Sequence, residues 1–465
     1  MKVVFPAVFV VDEVSSLAHF RKLAERSHSV AGALVAYSRG RLQARLLRPV
    51  DGAPEVLILP KGAKPPRDSR YVVASDAVIE GDVWNVSGGR WLRHPEQVPE
   101  FDQAADIDVV RSSWVDAFSY VAEDVDRGVV GLRVPQLGAL HAAQAHWSVS
   151  DGTATIVMPT GTGKTDTMIA LLVSARCPRV LVIVPTDALR TQIAEKFLTL
   201  GVLKVPASNL LAPTARFPSV TTLNHVPRSL SELNAILRKS HVLITTSHIA
   251  SLCAEELQPR IAEACPYLFI DEAHHAEAPS WKAFKARFGA SRIVQFTATP
   301  FREDGRPLDG KIIYKYPLKK AQLEGYFKPI KFAPVTQYNR LKADAAIAER
   351  AIEQLRANLG KGHILMARVD TVERARAVYQ LYSPFTEFKP VQLHSGVTSA
   401  REREQARRQI LSGESRIIVC VDMLGEGFDL PELKIAAFHD IRKSLAITLQ
   451  LAGRFTRARS DLGSR

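Results

Sequence analysis

The chain has 465 residues, 46% hydrophobic and 23% charged, a balance that fits a globular protein able to bury real cores. At roughly 150 residues per domain its length suggests about three domains. No apolar run approaches the roughly 18–20 residues of a membrane-spanning helix, and the opening MKVVFPAVFVVDE meets acidic residues at once without a small-residue cleavage site; this argues against a membrane span and a signal peptide. The formal charge of +13 favours a polyanionic partner, because excess Lys and Arg steers and holds a phosphate backbone.

Taken in chain order, residues 1–125 carry Pro and Gly punctuation, short Val-rich runs and three of the five tryptophans (Trp84, Trp91, Trp114). They read as a smaller mixed α/β accessory domain of unknown role. The spaced Asp…Glu-x-Lys of a metal-dependent nuclease is not evident there. Trp84 and Trp91 fit core packing better than stacking on bases. The four cysteines, Cys177, Cys253, Cys265 and Cys420, form no CxxC pair, so a reduced, cytoplasmic protein without a zinc site is expected.

From about Thr153 to Asp440 short apolar runs (TATIVM, RVLVIVP, HVLITT, YLFID, RIVQFT, GHILMA, RIIVCVD, LKIAAFHD) alternate with amphipathic stretches such as KTDTMIALLVSAR and DTVERARAVYQLY. Buried strands separated by helices imply parallel sheets with crossover helices, hence an α/β fold. The run 315–330, KYPLKKAQLEGYFKPI, divides the strands into two sets, 126–314 and 331–465, and reads as an interlobe linker. Its KYPLKK fits an exposed linker as well as a phosphate contact. REREQARR (Arg401–Arg408) reads as a solvated helix face.

Between the strand TATIV and a helix lies Met158-Pro-Thr-Gly-Thr-Gly-Lys-Thr165. A Gly-rich turn aims backbone N–H groups at phosphates, and the helix N-terminus adds its dipole. Thr160, Gly161, Thr162 and Gly163 would form that cradle, Lys164 would neutralise the β- and γ-phosphates of ATP, and Thr165 would ligate Mg²⁺. The first Gly of the usual P-loop is Met158 here. Downstream, LFIDEAHH (Leu268–His275) brings a strand to two acids. Asp271 would hold the Mg²⁺, and Glu272 would orient and deprotonate the attacking water. His274 fits a coupling role. Adjacent His274 and His275 are a poor metal pair, since chain neighbours rarely converge on one ion.

With these two motifs in hand, the chain resembles superfamily 2 DEAD/DEAH-box helicases and translocases, most closely the branch of XPB, UvrB and type I/III restriction motor subunits. The likeness runs from about Leu132 to Arg457. LRVPQLGAL resembles the segment whose Gln, here Gln136, reads adenine. IVPTDALRTQ resembles motif Ia, VLITTSHIASL the motif after it, Thr297-Ala-Thr299 motif III, and HILMARV motif IV. VDMLGEGFDLP resembles motif V and QLAGRFTR motif VI, and Arg302-Glu303-Asp304 matches the RED triplet of the XPB type.

That resemblance implies two RecA-like parallel-sheet lobes of a P-loop NTPase. It implies further nucleotide contacts from Gly427 and Asp429, and nucleic-acid contacts from Thr186, Arg190, Thr245, Thr246, Arg368 and His394. Arg454 and Arg457, at i and i+3 of one helix face, would reach the γ-phosphate from the second lobe, Arg457 as the arginine finger. The expected activity is ATP-dependent movement along nucleic acid, duplex DNA favoured over RNA. A nuclease, methylase or repair factor is a candidate partner, and no membrane partner is expected. An ATP-gated clamp that recruits a nuclease without processive movement is the alternative. A dead scaffold is disfavoured by intact Lys164, Asp271, Glu272, Arg454 and Arg457, and a small-molecule phosphotransferase does not account for motifs IV to VI. The chain stops just past motif VI, so the second lobe reads as truncated.

Overall fold

The computed structural model describes residues 1–97, 103–205, 208–275, 279–289, 292–300, 308–326, 331–339, 342–394, 400–421 and 432–440. Arg302, Glu303, Asp304, Gly427, Asp429, Arg454 and Arg457 lie outside the described residues.

The N-terminal strands are β1 (Lys2–Val4), β2 (Val8–Val14), β3 (Ala18–Glu25), β4 (Ser29–Arg39), β5 (Leu42–Pro49), β6 (Val56–Leu59), β7 (Val72–Ala74), β8 (Val83–Asn85) and β9 (Arg90–Arg93). Seven of them form one sheet in the order β8-β1-β4-β5-β6-β7-β9. Its longest hairpin, β4–β5, turns on Gly40 in the left-handed region (φ 62°), a conformation glycine adopts without steric cost. Trp84 and Trp91 are buried in its core beside Val3, Phe5 and Ile58, and each indole N–H is satisfied by a carbonyl, Ala77 O at 2.8 Å and Pro6 O at 2.9 Å. They pack; they do not present a stacking face.

The other two strands leave this sheet. β2 and β3 form an antiparallel hairpin that adds to the edge of a second sheet, with Phe20 opposite Thr221 and Lys22 opposite Ser219. The hairpin is tied down by the buried Lys22–Asp106 ion pair to α1 (Gln103–Ser112) and by Arg21–Glu195. Residues before 126 therefore contribute to two sheets, and Val110, Trp114 and Ala117 enter the core of the second.

That second sheet adds β10 (Ala154–Val157), β11 (Val180–Val184), β12 (Ser219–Leu223), β13 (Val242–Thr246), β14 (Tyr267–Ile270), β15 (Arg292–Thr297) and β16 (Lys311–Lys315). Its order is β16-β10-β15-β14-β11-β13-β12-β3-β2, with β10 through β16 parallel. The apolar runs are continuous because both faces are covered: Val180, Val182 and Val184 join one core, Leu181 and Ile183 the other. The helices are α2 (Val134–Val149), α3 (Lys164–Ser174), α4 (Asp187–Leu198), α5 (Leu230–Lys239), α6 (Ser247–Leu252), α7 (Gln258–Ala264) and α8 (Pro279–Ala286). The start of the expected linker belongs to this lobe. Tyr316 is buried in its core, and α9 (Leu318–Leu323) buries Ala321.

The second lobe begins with α10 (Ala343–Arg356), then β17 (Ile364–Val369), α11 (Val372–Tyr382), β18 (Val391–Leu393), α12 (Ala400–Leu411), β19 (Ile417–Val421) and β20 (Leu433–Phe438). The strands are parallel in the order β18-β19-β17-β20. Leu365, Ala367 and Val369 face α10 and α11, while Ile364 and Met366 face the other way with Ile410 of α12. Glu402, Glu404, Arg407 and Arg408 of α12 are exposed, while Ala406 joins Ile410 in facing inward. Arg374 forks between Asp344 (2.7 and 3.0 Å) and Asp440 (2.9 and 3.0 Å), which fixes the end of β20 against α10 and α11. The fold is thus α/β with two RecA-like parallel-sheet lobes, as expected.

Candidate active site

The parallel strands end at one edge of the nine-stranded sheet, where doubly wound folds bind ligands. β10 runs into 158–163 and then α3. Gly161 and Gly163 both take left-handed backbones (φ 92° and 93°), and Gly163 is the N-cap residue of α3. A Cβ at Gly163 would stand 1.9 Å from Gln136 Nε2, so both conformation and space demand glycine. Thr162 closes the turn by donating its hydroxyl to Pro159 O at 2.7 Å. Thr160 Oγ1, in the same turn, is buried with no hydrogen-bond partner among the described residues.

Lys164, at the first position of α3, is buried and its ammonium is ion-paired with Glu272 Oε1. Glu272 follows Asp271, the residue directly after β14, whose last residue Ile270 is in register with Ile183 of β11 and Gln295 of β15. The Glu272 backbone is left-handed (φ 46°), a conformation that costs a non-glycine residue about 1–2 kcal/mol and persists where surroundings impose it. Glu272 N–H donates to Asp271 Oδ1 at 3.1 Å. His274 Nδ1 lies 3.1 Å from Thr297 Oγ1 at the end of β15, and 3.6 Å separates it from Glu272 Oε2. The structure therefore brings Lys164, Asp271, Glu272, His274 and Thr297 together from three parallel strand ends.

Gln136 lies beside the same turn. Its Oε1 accepts from Arg133 N at 2.7 Å, and its Nε2 donates to Gly163 O at 3.4 Å. Arg133 was not anticipated from sequence: its Nη1 donates to Gly161 O at 3.0 Å, and its guanidinium packs over the Tyr326 ring. Its position, three residues before Gln136, is the sole sequence signal. Thr165 is half-buried in the first turn of α3. Hydroxyl and carboxylate oxygens from Thr165 and Asp271 are the hard donors that suit Mg²⁺, which needs few protein ligands because it keeps several waters. No group of three or more His, Cys, Asp or Glu side chains among the described residues could hold a metal ion.

The six residues expected to touch nucleic acid fall in different places. Thr186 caps α4, accepting from Leu189 N at 3.4 Å, and Thr246 caps α6, accepting from Ile249 N at 3.3 Å. Val184 pairs with Thr246, so these two helix starts are neighbours on the same sheet edge as the P-loop. The other four face inward in this conformation. Arg190 Nη1 donates to Leu223 O at 3.1 Å, Thr245 Oγ1 donates to the same carbonyl at 3.3 Å, and Arg368, 0% exposed, donates to Asp370 at 3.1 Å. His394 is buried beside Gln392 Oε1 at 3.0 Å.

Residues 130–302 match the family model described as "Type III restriction enzyme, res subunit", and 346–459 match "Helicase conserved C-terminal domain". An uncharacterised protein of Mycobacterium tuberculosis is 26% identical over 361 residues, 64% of this chain and 55% of that protein. The DNA 3'-5' translocase XPB2 of Sulfurisphaera tokodaii is 25% identical over 335 residues, 60% of this chain and 69% of that one. A fragment of a putative HsdR subunit of a type I restriction enzyme from Vibrio vulnificus YJ016 aligns over 93% of this chain and 84% of its own, at 17% identity and a TM-score of 0.48. The match spans about half the length of the mycobacterial relative.

Proposed function

We propose, for a chain that belongs to the superfamily 2 helicases of the XPB, UvrB and Res type, that it is an ATP hydrolase driving movement along nucleic acid, with DNA preferred over RNA. The observation that carries this reading is the single edge that joins a P-loop lysine, the Asp271-Glu272 pair and the His274–Thr297 contact.

ATP is the substrate. Its β- and γ-phosphates take the Lys164 ammonium from Glu272, a charge-assisted exchange of carboxylate for phosphate that leaves Glu272 able to accept a proton from water. Mg²⁺, held by Thr165 and Asp271, would neutralise phosphate charge when bound. Thr160, Gly161, Thr162 and Gly163 supply the cradle, and Arg133 and Gln136 hold its shape from behind. On the resemblance, Gly427, Asp429, Arg454 and Arg457 complete the site from the second lobe. Loss of the γ-phosphate that bridges two lobes releases them, which turns hydrolysis into displacement. Thr186 and Thr246, at adjacent helix starts, support a phosphate grip along the same edge.

The test is steady-state ATP turnover with duplex DNA, single-stranded DNA and RNA in parallel, against track length. A motor raises turnover about tenfold or more with its track and consumes more ATP on a longer one. Equal turnover with no polynucleotide removes the motor reading; a response to RNA alone removes the DNA preference.

A further inference from the structure

A cleft of about 1180 Å³ lies far along the chain from the nucleotide site, with β2 on one wall and β9 and the 67–70 loop on another. β2 is the edge strand of the nine-stranded sheet, whereas β9 ends the N-terminal sheet, so the cleft follows the seam between them. Its volume exceeds the roughly 300–1,000 Å³ of small-molecule pockets.

The charges in it are sorted. Each carboxylate on its walls already has a partner: Glu13 has Lys239 at 2.6 Å, Asp68 has Arg39 at 2.8 and 2.9 Å, and Asp12 has the His19 ring at 2.7 Å, an ion pair only when that ring is protonated. Arg93 is committed too, its Nη1 held by the carbonyls of Pro66, Arg67 (3.1 Å) and Ser69 (3.2 Å). The Arg93 and Asp68 contacts, with Pro65-Pro66 before them, fix the loop in place. Arg67, Arg70 and Arg90 line the same cleft, are exposed, and have no carboxylate partner among the described residues.

We propose that this cleft is a second nucleic-acid site, gripping a strand by its phosphodiester backbone through Arg67, Arg70 and Arg90. Guanidinium forks match phosphate oxygens, and three uncommitted ones on two elements suit a repeating polyanion better than one small anion. The grip is indifferent to base sequence: the wall's tryptophan, Trp91, is 4% exposed with its N–H spent on Pro6 O. The proposal does not rest on the motor reading.

The experiment measures binding of a labelled single-stranded DNA oligonucleotide to the full chain without nucleotide, across a salt series. Arg67→Gln/Arg70→Gln/Arg90→Gln should bind about tenfold more weakly at low salt and flatten the log–log salt slope by about two, since each lost phosphate contact on a single strand removes about 0.7. The triple Lys variant should keep the slope, because point charges release the same counterions. Three exposed cations elsewhere, neutralised as Arg127→Gln/Lys361→Gln/Lys389→Gln, should leave the slope near that of the parent. ATP turnover with and without DNA is measured in each chain alongside binding, so that a failed motor and a failed cleft are told apart. A cleft variant with the parental slope, or an equal loss in the control variant, overturns the proposal. Absence of ATPase stimulation in every chain would instead remove the motor reading and leave the slope result to judge the cleft.

Discussion

His274 Nδ1 sits 3.1 Å from Thr297 Oγ1, which joins the segment after β14 to the end of β15. Thr297 spends its own proton on Thr299 O at 2.7 Å and accepts from Thr299 N at 3.2 Å, so Nδ1 is the donor. With Glu272 Oε2 3.6 Å from the same ring nitrogen, this contact links the Glu272 carboxylate to the end of β15, the link the proposed motor would use for coupling. His274→Ala should keep basal ATP turnover while the response to polynucleotide falls about fivefold or more. Thr297→Val should do the same. Turnover with and without DNA, compared as a ratio, checks it; an unchanged ratio removes the coupling role.

Glu272→Gln should bind ATP and nucleic acid yet turn over at least about a hundredfold more slowly, because glutamine holds water without taking its proton. Lys164→Ala should lose nucleotide affinity instead, and leaves the Glu272 carboxylate buried without its ammonium. Fluorescent-nucleotide binding and single-turnover hydrolysis separate the two defects.

Gly163→Ala should weaken ATP binding by about tenfold or more, since the new Cβ meets Gln136 Nε2 at 1.9 Å on a backbone with φ 93°. Gln136→Ala in the same chain clears that contact but not the backbone strain, so it should recover binding only in part. Full recovery would assign the whole cost to the collision.

Arg457→Ala should cut polynucleotide-stimulated turnover by about a hundredfold or more while ATP affinity stays close to the parent, as expected of a group that acts on transition-state charge. Arg457→Lys should rescue poorly, for want of the fork. Parent-like turnover in Arg457→Ala would move the finger to Arg454.

His241 is buried against the Trp114 ring with Nε2 2.8 Å from Cys177 O. Burial pushes its pKa from 6.5 down to about 4, with Arg179, Arg111 and Lys22 adding to the effect against the Cys177 hydrogen bond. The folded-state value is depressed, so the unfolded chain binds the extra proton: stability from this group is complete above about pH 6.5 and drains as pH falls towards 4. The loss is on the order of 3 kcal/mol. Denaturant midpoints from pH 7.5 to 4 should fall more steeply in the parent than in His241→Phe; parallel curves would mean His241 titrates normally.

Much of this protein was legible from sequence. Strands β10, β11, β13 and β14 are covered on both faces, so each is a mainly apolar run, and the motifs follow directly from the strand ends. Thr186, Ser229 and Thr371 cap their helices by bonds that span only three residues. The P-loop glycines were readable for the same local reason. What escaped was decided at long range. The run SVTTL of β12, half polar, is a strand because Val220 and Thr221 pair β13 on one side and β3 on the other. The β2–β3 hairpin leaves its own sheet because the Lys22–Asp106 and Arg21–Glu195 pairs, 84 and 174 residues apart, hold it to the lobe. Arg133 serves the P-loop only because β10 and α2 bring Gly161 to it from 28 residues away. Arg368 is expected from the resemblance to touch nucleic acid, yet β17 lies between β19 and β20 and the fold buries it completely. Local bonding leaves its mark in spacing; the partner across a sheet, and the side of it that meets water, exist only once the chain has closed.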